Sequence, residues 1–156
     1  MGMVRKYWIM KSEPSEFSLE HLEQQESVVW DGVRNYQVRN MFRDLMQAGD
    51  AALMYYSNTD VIGVVGEMVI VEPAVLDETQ FMTGHKYYDA KSSEENPRWL
   101  GPRVKYVARF FRTVSLAEMK ADDRFAEVAF MKKGNRLSVT QITKAQYQLL
   151  KKLAGE

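Results

Sequence analysis

The hydrophobic period of this chain switches repeatedly between two and 3.6 residues, with no internal repeat and no low-complexity stretch. Short strands and amphipathic helices must then share one core, which makes a mixed α+β domain the expected fold class. A chain of 156 residues removes roughly 70% of its unfolded surface from water, enough for a core without covalent staples. Nothing in it reads as an interdomain linker, so residues 1–156 are expected to form a single domain.

Local signals place the elements. Tyr7-Trp8-Ile9-Met10 reads as a first strand, ended at Lys11-Ser12-Glu13-Pro14, and Ser18 offers an N-cap to a short helix through His21 and Leu22. The strongest helix runs from Asn35 to Met46. Its Val38, Met41, Phe42 and Leu45 stand at i, i+3, i+4 and i+7, so Tyr36, Asn40 and Arg43 point the other way. Ala51 to Tyr56 and Val61 to Val71 form a hairpin about Ser57-Asn58-Thr59-Asp60, its second strand closed by Pro73. Within it, Gly63-Val64-Val65-Gly66 marks a bend or a close backbone approach rather than a phosphate loop. Another strand covers Val104 to Val114, after an ordered loop from Asn96 to Pro102, and belongs with the hairpin in one curved sheet. Ser115 caps a helix through Met119. A short apolar piece near Phe130 and a loop from Lys132 to Asn135 precede a terminal helix, Thr143 to Leu153, whose Ala145, Leu149 and Leu153 share one side. A strongly bent, barrel-like sheet with helices packed around it accommodates this order.

Composition narrows the chemistry. There is no cysteine, which excludes disulfide scaffolds and thiolate metal sites. No apolar run reaches the roughly 20 residues that span a bilayer. Met1-Gly2-Met3-Val4-Arg5-Lys6 has no apolar signal core before its charges and lacks the Ser or Thr at position 6 that myristoylation prefers. A soluble cytoplasmic protein, without membrane contact, is the expectation. The net charge of zero gives no global field for a polyanion. The charges are nonetheless segregated: Asp50 to His85 carries six acids and no Lys or Arg, Lys86 to Arg112 seven bases against three acids, and Arg124 to Lys152 seven bases against Glu127 alone. Such clusters are either solvated faces or a basic rim on one side of the fold.

Catalytic constellations are thin. His21 and His85 lack metal-ligand spacing, and nothing in the pattern draws Glu13 and Asp89 together as an acid/base pair. What stands out is Trp30, Tyr36, Tyr55, Tyr56, Tyr87, Tyr88 and Trp99 beside Arg34, Asn35, Asn40, Ser57 and Asn58. Planar side chains and amides together can stack a base and read its edge, although Trp and Tyr also serve as core residues with one satisfied polar atom.

The segments Tyr7-Trp8-Ile9-Met10-Lys11-Ser12-Glu13-Pro14 and Trp30-Asp31-Gly32-Val33-Arg34-Asn35-Tyr36-Gln37-Val38-Arg39-Asn40 resemble the two signature stretches of the EVE domain. Tyr55-Tyr56-Ser57-Asn58, the Gly63 to Glu67 strand, Tyr88-Asp89 and Asn96-Pro97-Arg98-Trp99 keep the family order, so the resemblance covers nearly the whole chain. It implies a PUA-like pseudobarrel, a curved, mainly antiparallel sheet with surrounding helices, in a superfamily that includes RNA-binding PUA domains and the YTH readers of methylated adenine. It also implies a non-catalytic reader, without cofactor or metal, that holds a modified base such as 5-methylcytosine of RNA or DNA in an aromatic pocket.

On the family pattern, Lys11 and Ser12 end the first strand at the pocket and Trp30 is an aromatic wall. Asn35 and Tyr36 stand at the helix entrance, and Ser57 and Asn58 at the strand end facing it. Trp99 matches a Pro-Arg-Trp segment and either lines the site or packs in the core. Arg39 and Asn40 fit the motif as scaffold or as ligand contacts. Val38 replaces the usual small residue, and no His stands near Ser57, where family members often carry one. Lys86, Arg98 and Arg103 are candidates for a rim that binds flanking phosphates. A monomer is expected. The zero net charge keeps a second class open, a small-molecule or protein-binding module that uses the same pocket without nucleic acid.

Overall fold

The computed structural model describes residues 4–132 and 134–156. Lys133, in the loop expected between Lys132 and Asn135, lies outside the described residues, as do Met1 to Met3. Six strands form one open sheet: β1 (Tyr7–Ser12), β2 (Val28–Val29), β3 (Ala51–Tyr56), β4 (Gly63–Leu76), β5 (Leu100–Ser115) and β6 (Val139–Ile142), in the spatial order β2-β5-β4-β3-β1-β6. Only β1 and β3 are parallel, and every other neighbouring pair is antiparallel. The expected hairpin and the later strand thus share a sheet. Four helices flank it: α1 (Leu19–Glu23), α2 (Tyr36–Asp44), α3 (Leu116–Lys120) and α4 (Lys144–Leu153).

Strands β1 and β3 are apolar on both faces because both faces are covered. Tyr7 and Ile9 join Ala51, Leu53 and Tyr55 in a core closed by Met119 of α3 and Tyr147 and Leu150 of α4. Trp8 and Met10 join Ala52 and Met54 in a second core, closed by Leu19 and Leu22 of α1 and Val38 and Phe42 of α2. The helix ends follow local chemistry. Ser18 and Asn35 cap α1 and α2 by accepting from the amides of His21 and Val38. Full capping boxes, Ser115 with Glu118 and Thr143 with Gln146, start α3 and α4.

Four expectations shift. Helix α2 ends at Asp44, so Leu45 is exposed and Met46 is buried in its place. The buried stripe of α4 is Tyr147 and Leu150, continued by Ala154 at its C-cap, with Leu149 and Leu153 only flanking it and Ala145 exposed. Strand β4 does not close at Pro73 but continues to Leu76, because Pro73 falls where the register with β5 slips between Glu72 and Val75 and no ladder donor is needed. Strand β5 begins at Leu100 and takes in part of the expected loop. The short strands β2 and β6 carry too few residues for a period to register. Repeated slips between β4 and β5 bend both strands. A Cβ on Gly66 would collide there with Leu19 and the Ala108 carbonyl, so the expected close approach is real.

Candidate functional site

A cavity of about 300 Å3 opens where β1 and β3 end, at the carboxyl ends of the one parallel strand pair. Clefts at this position are the usual ligand sites of open sheets with parallel strands. Lys11 and Ser12 reach it from the end of β1, Ser57 from the residue after β3, and Trp30 to Asn35 from the segment that enters α2. Glu13, Glu16, Tyr87 and Ser138 complete the lining. Five residues expected at the site therefore converge: Lys11, Ser12, Trp30, Asn35 and Ser57.

The wall from Trp30 to Asn35 is held from behind. Gly32 has φ +83°, and a Cβ there would also strike the Tyr87 ring. Its amide donates to Asp77 Oδ2 at 2.9 Å, and Arg34 Nη1 donates to the same oxygen at 2.9 Å. Arg34 further donates to the carbonyls of Val33 and Tyr87 and to Thr79 Oγ1, so all five guanidinium N–H groups are engaged. Arg34 is a clamp rather than a ligand contact. Burial pushes the Asp77 carboxyl up, but Thr79, Arg34 and the Gly32 amide outweigh it and hold the group below the usual aspartate range. Asp31 behaves oppositely. Burial and then the nearby Asp77 carboxylate push its carboxyl above the usual range, His85 and Arg34 only partly opposing them.

The groups facing the cavity differ in what they have left to offer. Asn35 Oδ1 accepts from the Val38 amide at 3.0 Å, and its Nδ2 is unengaged among the described residues. Lys11 Nζ lies 5.6 Å from the Phe130 ring and 6.0 Å from that of Tyr55, with no ion pair among the described residues. Ser12 Oγ donates to the Phe17 carbonyl, and Ser57 Oγ makes only a long 3.4 Å bond to the Ser12 carbonyl. Trp30 is 4% exposed and packs 4.5 Å from the Phe17 ring, so one edge serves the cavity while the bulk belongs to the core.

Three expected site residues lie elsewhere. Asn58 sits in the turn at φ 52° and donates to Glu13 Oε1 at 2.8 Å. Trp99 packs in the core: its Nε1 donates to Asp89, its amide to Gln80, and it stacks on Tyr36 at 4.7 Å. Tyr36 is 47% exposed on the outer face of α2 rather than in the cavity. Glu13 and Asp89 are committed to different partners, Asn58 and Trp99. Of the expected rim, Lys86 pairs with Glu16 at 2.8 Å and Arg103 with Glu72 at 3.5 Å, whereas Arg98 has no carboxylate within ion-pair distance among the described residues. The sequence reading did not single out Asp31, Gly32, Val33, Glu16 or Ser138 as lining. For the first three, the signal was their place inside the second signature stretch. Among the described residues, no group of three His, Asp or Glu side chains could hold a metal.

An open, bent mixed sheet with its cleft at the parallel strand ends is a PUA-like domain. A family model described as the EVE domain matches residues 6–153, and the chain belongs to that family. It is 41% identical over 126 residues to human thymocyte nuclear protein 1, covering 74% of this chain and 56% of that protein. The chain thus spans about half the length of that relative. A hypothetical protein from Leishmania major superimposes with a TM-score of 0.92 at 36% identity, over 97% of this chain and 96% of the other. The human THYN1 protein in complex with DNA containing 5-methylcytosine superimposes with a TM-score of 0.89 at 34% identity, over 97% of this chain and 98% of that one.

Proposed function

We propose that this protein is a non-catalytic reader that takes a modified pyrimidine, 5-methylcytosine or a close analogue, out of a nucleic-acid strand and into the cavity. The complex of the human relative with 5-methylcytosine DNA supports the ligand class. The observation that carries the reading is the polar set beside the Trp30 edge: one carboxylate, Asp31, with two donors that have no hydrogen-bond partner among the described residues, Asn35 Nδ2 and Lys11 Nζ. Cytosine presents an amino donor and two acceptors, N3 and O2, which this set matches, whereas the O4 of thymine would face a carboxylate. Pulling the base from its stack costs a few kcal/mol, which stacking and edge contacts must offset.

The test is a panel of short single strands and duplexes, each with one modified or unmodified cytosine, titrated at two salt concentrations. Preference for the modified base at both salts is expected. Asn35→Asp keeps the cap oxygen and removes the donor to the cytosine edge, so it should weaken binding of modified and unmodified cytosine alike. Equal affinity for modified and unmodified strands would overturn the reading. Three carboxylates around the cavity, Glu13, Glu16 and Asp31, favour a second reading, a small uncharged or cationic ligand without phosphates. Binding of a free nucleoside with no gain on strand attachment would select it.

A further inference from the structure

Five charged residues line the cavity, Glu13, Glu16 and Asp31 against Lys11 and Arg34. Arg34 is spent on Asp77, while Glu16 neutralises Lys86 beside the cavity. Lys11 is thus the one cation of the lining without an ion pair among the described residues, and in the proposed reading it serves the base edge. A phosphodiester chain leading to the cavity therefore needs cations from another part of the surface. A column of rings and guanidinium groups supplies them. Arg34, behind the cavity wall, lies 5.3 Å from the Trp99 ring, Trp99 stacks on Tyr36 at 4.7 Å, and Arg39 lies 4.7 Å from the Tyr36 ring. The column starts at a residue that lines the cavity and ends on the outer face of α2.

The charges at its outer end are held in place yet unneutralised. Arg39 donates twice to Asn40 Oδ1, at 3.2 and 2.9 Å, and once to the Arg98 carbonyl at 3.1 Å, all neutral acceptors. Arg98 Nη1 donates only to the Tyr36 hydroxyl, at 3.4 Å. Neither forms an ion pair among the described residues. Two acids act on them from beyond ion-pair distance: Asp44, which is itself paired with Arg43, and Asp89, which is held away by the Trp99 indole and the Lys91 amide. A preorganised arginine with neutral neighbours binds a phosphate without first giving up a carboxylate.

Resting on the reader function above, we propose that Tyr36, Arg39 and Arg98 form a phosphate-binding platform beside the cavity, which takes the backbone of the strand whose base enters it. This gives Tyr36 a role outside the cavity and moves the rim away from Lys86 and Arg103.

Two probes separate the platform from the cavity: free 5-methyl-2′-deoxycytidine, which has no phosphate, and a short single strand with an abasic position, which has no base to read. In the Arg39→Gln/Arg98→Gln variant, abasic-strand affinity should fall about tenfold and the slope of log K against log salt should flatten by about 1.4, roughly 0.7 for each lost single-strand contact. Nucleoside affinity should be unchanged. Arg39→Lys/Arg98→Lys keeps the charge and should keep the slope, and Lys120→Gln/Lys152→Gln, on α3 and α4, should change nothing. An abasic strand that does not bind the wild type, or that binds the Gln variant with unchanged affinity and slope, overturns the platform. Absence of nucleoside binding overturns the cavity reading and leaves the platform to be judged on the abasic strand alone.

Discussion

Asp50 and Asp77 are both fully buried carboxylates that accept from backbone amides, and their partners separate the frame of this protein from its site. Asp50 precedes β3, at the end of the β1/β3 pair away from the cavity. It accepts from the Lys6 amide at 3.0 Å, the Trp8 indole at 2.9 Å and the Gln47 amide at 2.9 Å, neutral donors from both sides of the sheet start. Asp77 follows β4 and holds Gly32, Arg34 and Thr79, which shapes the wall of the cavity. A carboxylate with only neutral donors ties strands together. One with a cation and a left-handed glycine positions a loop.

Breaking the frame should cost most. Asp50→Ala strands three donors and is expected to destabilise by about 4 kcal/mol in urea unfolding, while the protein that remains folded keeps its base preference. Loss of that preference at full occupancy of the folded state would erase the contrast. Trp30→Ala comes next, at about 3 kcal/mol, because a nearly buried ring leaves a void. Any loss of ligand affinity beyond the unfolded fraction then reports stacking at its exposed edge, and Trp30→Phe should recover most of the stability.

Asp77→Asn sharpens the comparison, with about 2 kcal/mol lost near neutral pH and weaker ligand binding in the folded protein. Because the folded carboxyl lies below its usual value, its stabilising contribution is present above the ordinary aspartate range near pH 3.9 and is lost as pH falls through the lowered value. Chemical denaturation from pH 6 downward should show an acid-side decline that is smaller in Asp77→Asn. The smallest effect has the opposite sign. Ionised Asp31 costs stability at neutral pH, a cost relieved as pH falls through its raised value, so Asp31→Asn should stabilise by less than about 1 kcal/mol at pH 7. The same change should weaken binding of an amino-bearing pyrimidine. A variant both less stable and equally tight would remove Asp31 from the site.

Much of the frame was legible because local physics wrote it. The two-sided apolar runs of β1 and β3, the Ser18 and Asn35 caps and the Ser115 start of α3 each depend on a few neighbouring residues and appear where their patterns put them. The two signature stretches brought Lys11, Ser12, Trp30 and Asn35 to one cavity, and the Tyr55-Tyr56-Ser57-Asn58 segment brought Ser57, since the strand ends and the helix entrance carry them there. Tertiary structure alone decided the rest. No local pattern says that β1 pairs parallel with β3 across 44 residues of register, or that Asp77 reaches back to Arg34. Nor does any pattern tell which arginines are neutralised. Lys86 and Arg103 look like rim cations in sequence, yet Glu16 and Glu72 meet them in space, whereas Arg39 and Arg98 end an aromatic column with no carboxylate within ion-pair distance among the described residues. Local sequence sets dihedral preference and hydrophobic period, which act over a turn or two of chain. Charge pairing and burial depend on distances that exist only after the sheet has bent and its long strands have brought remote residues together.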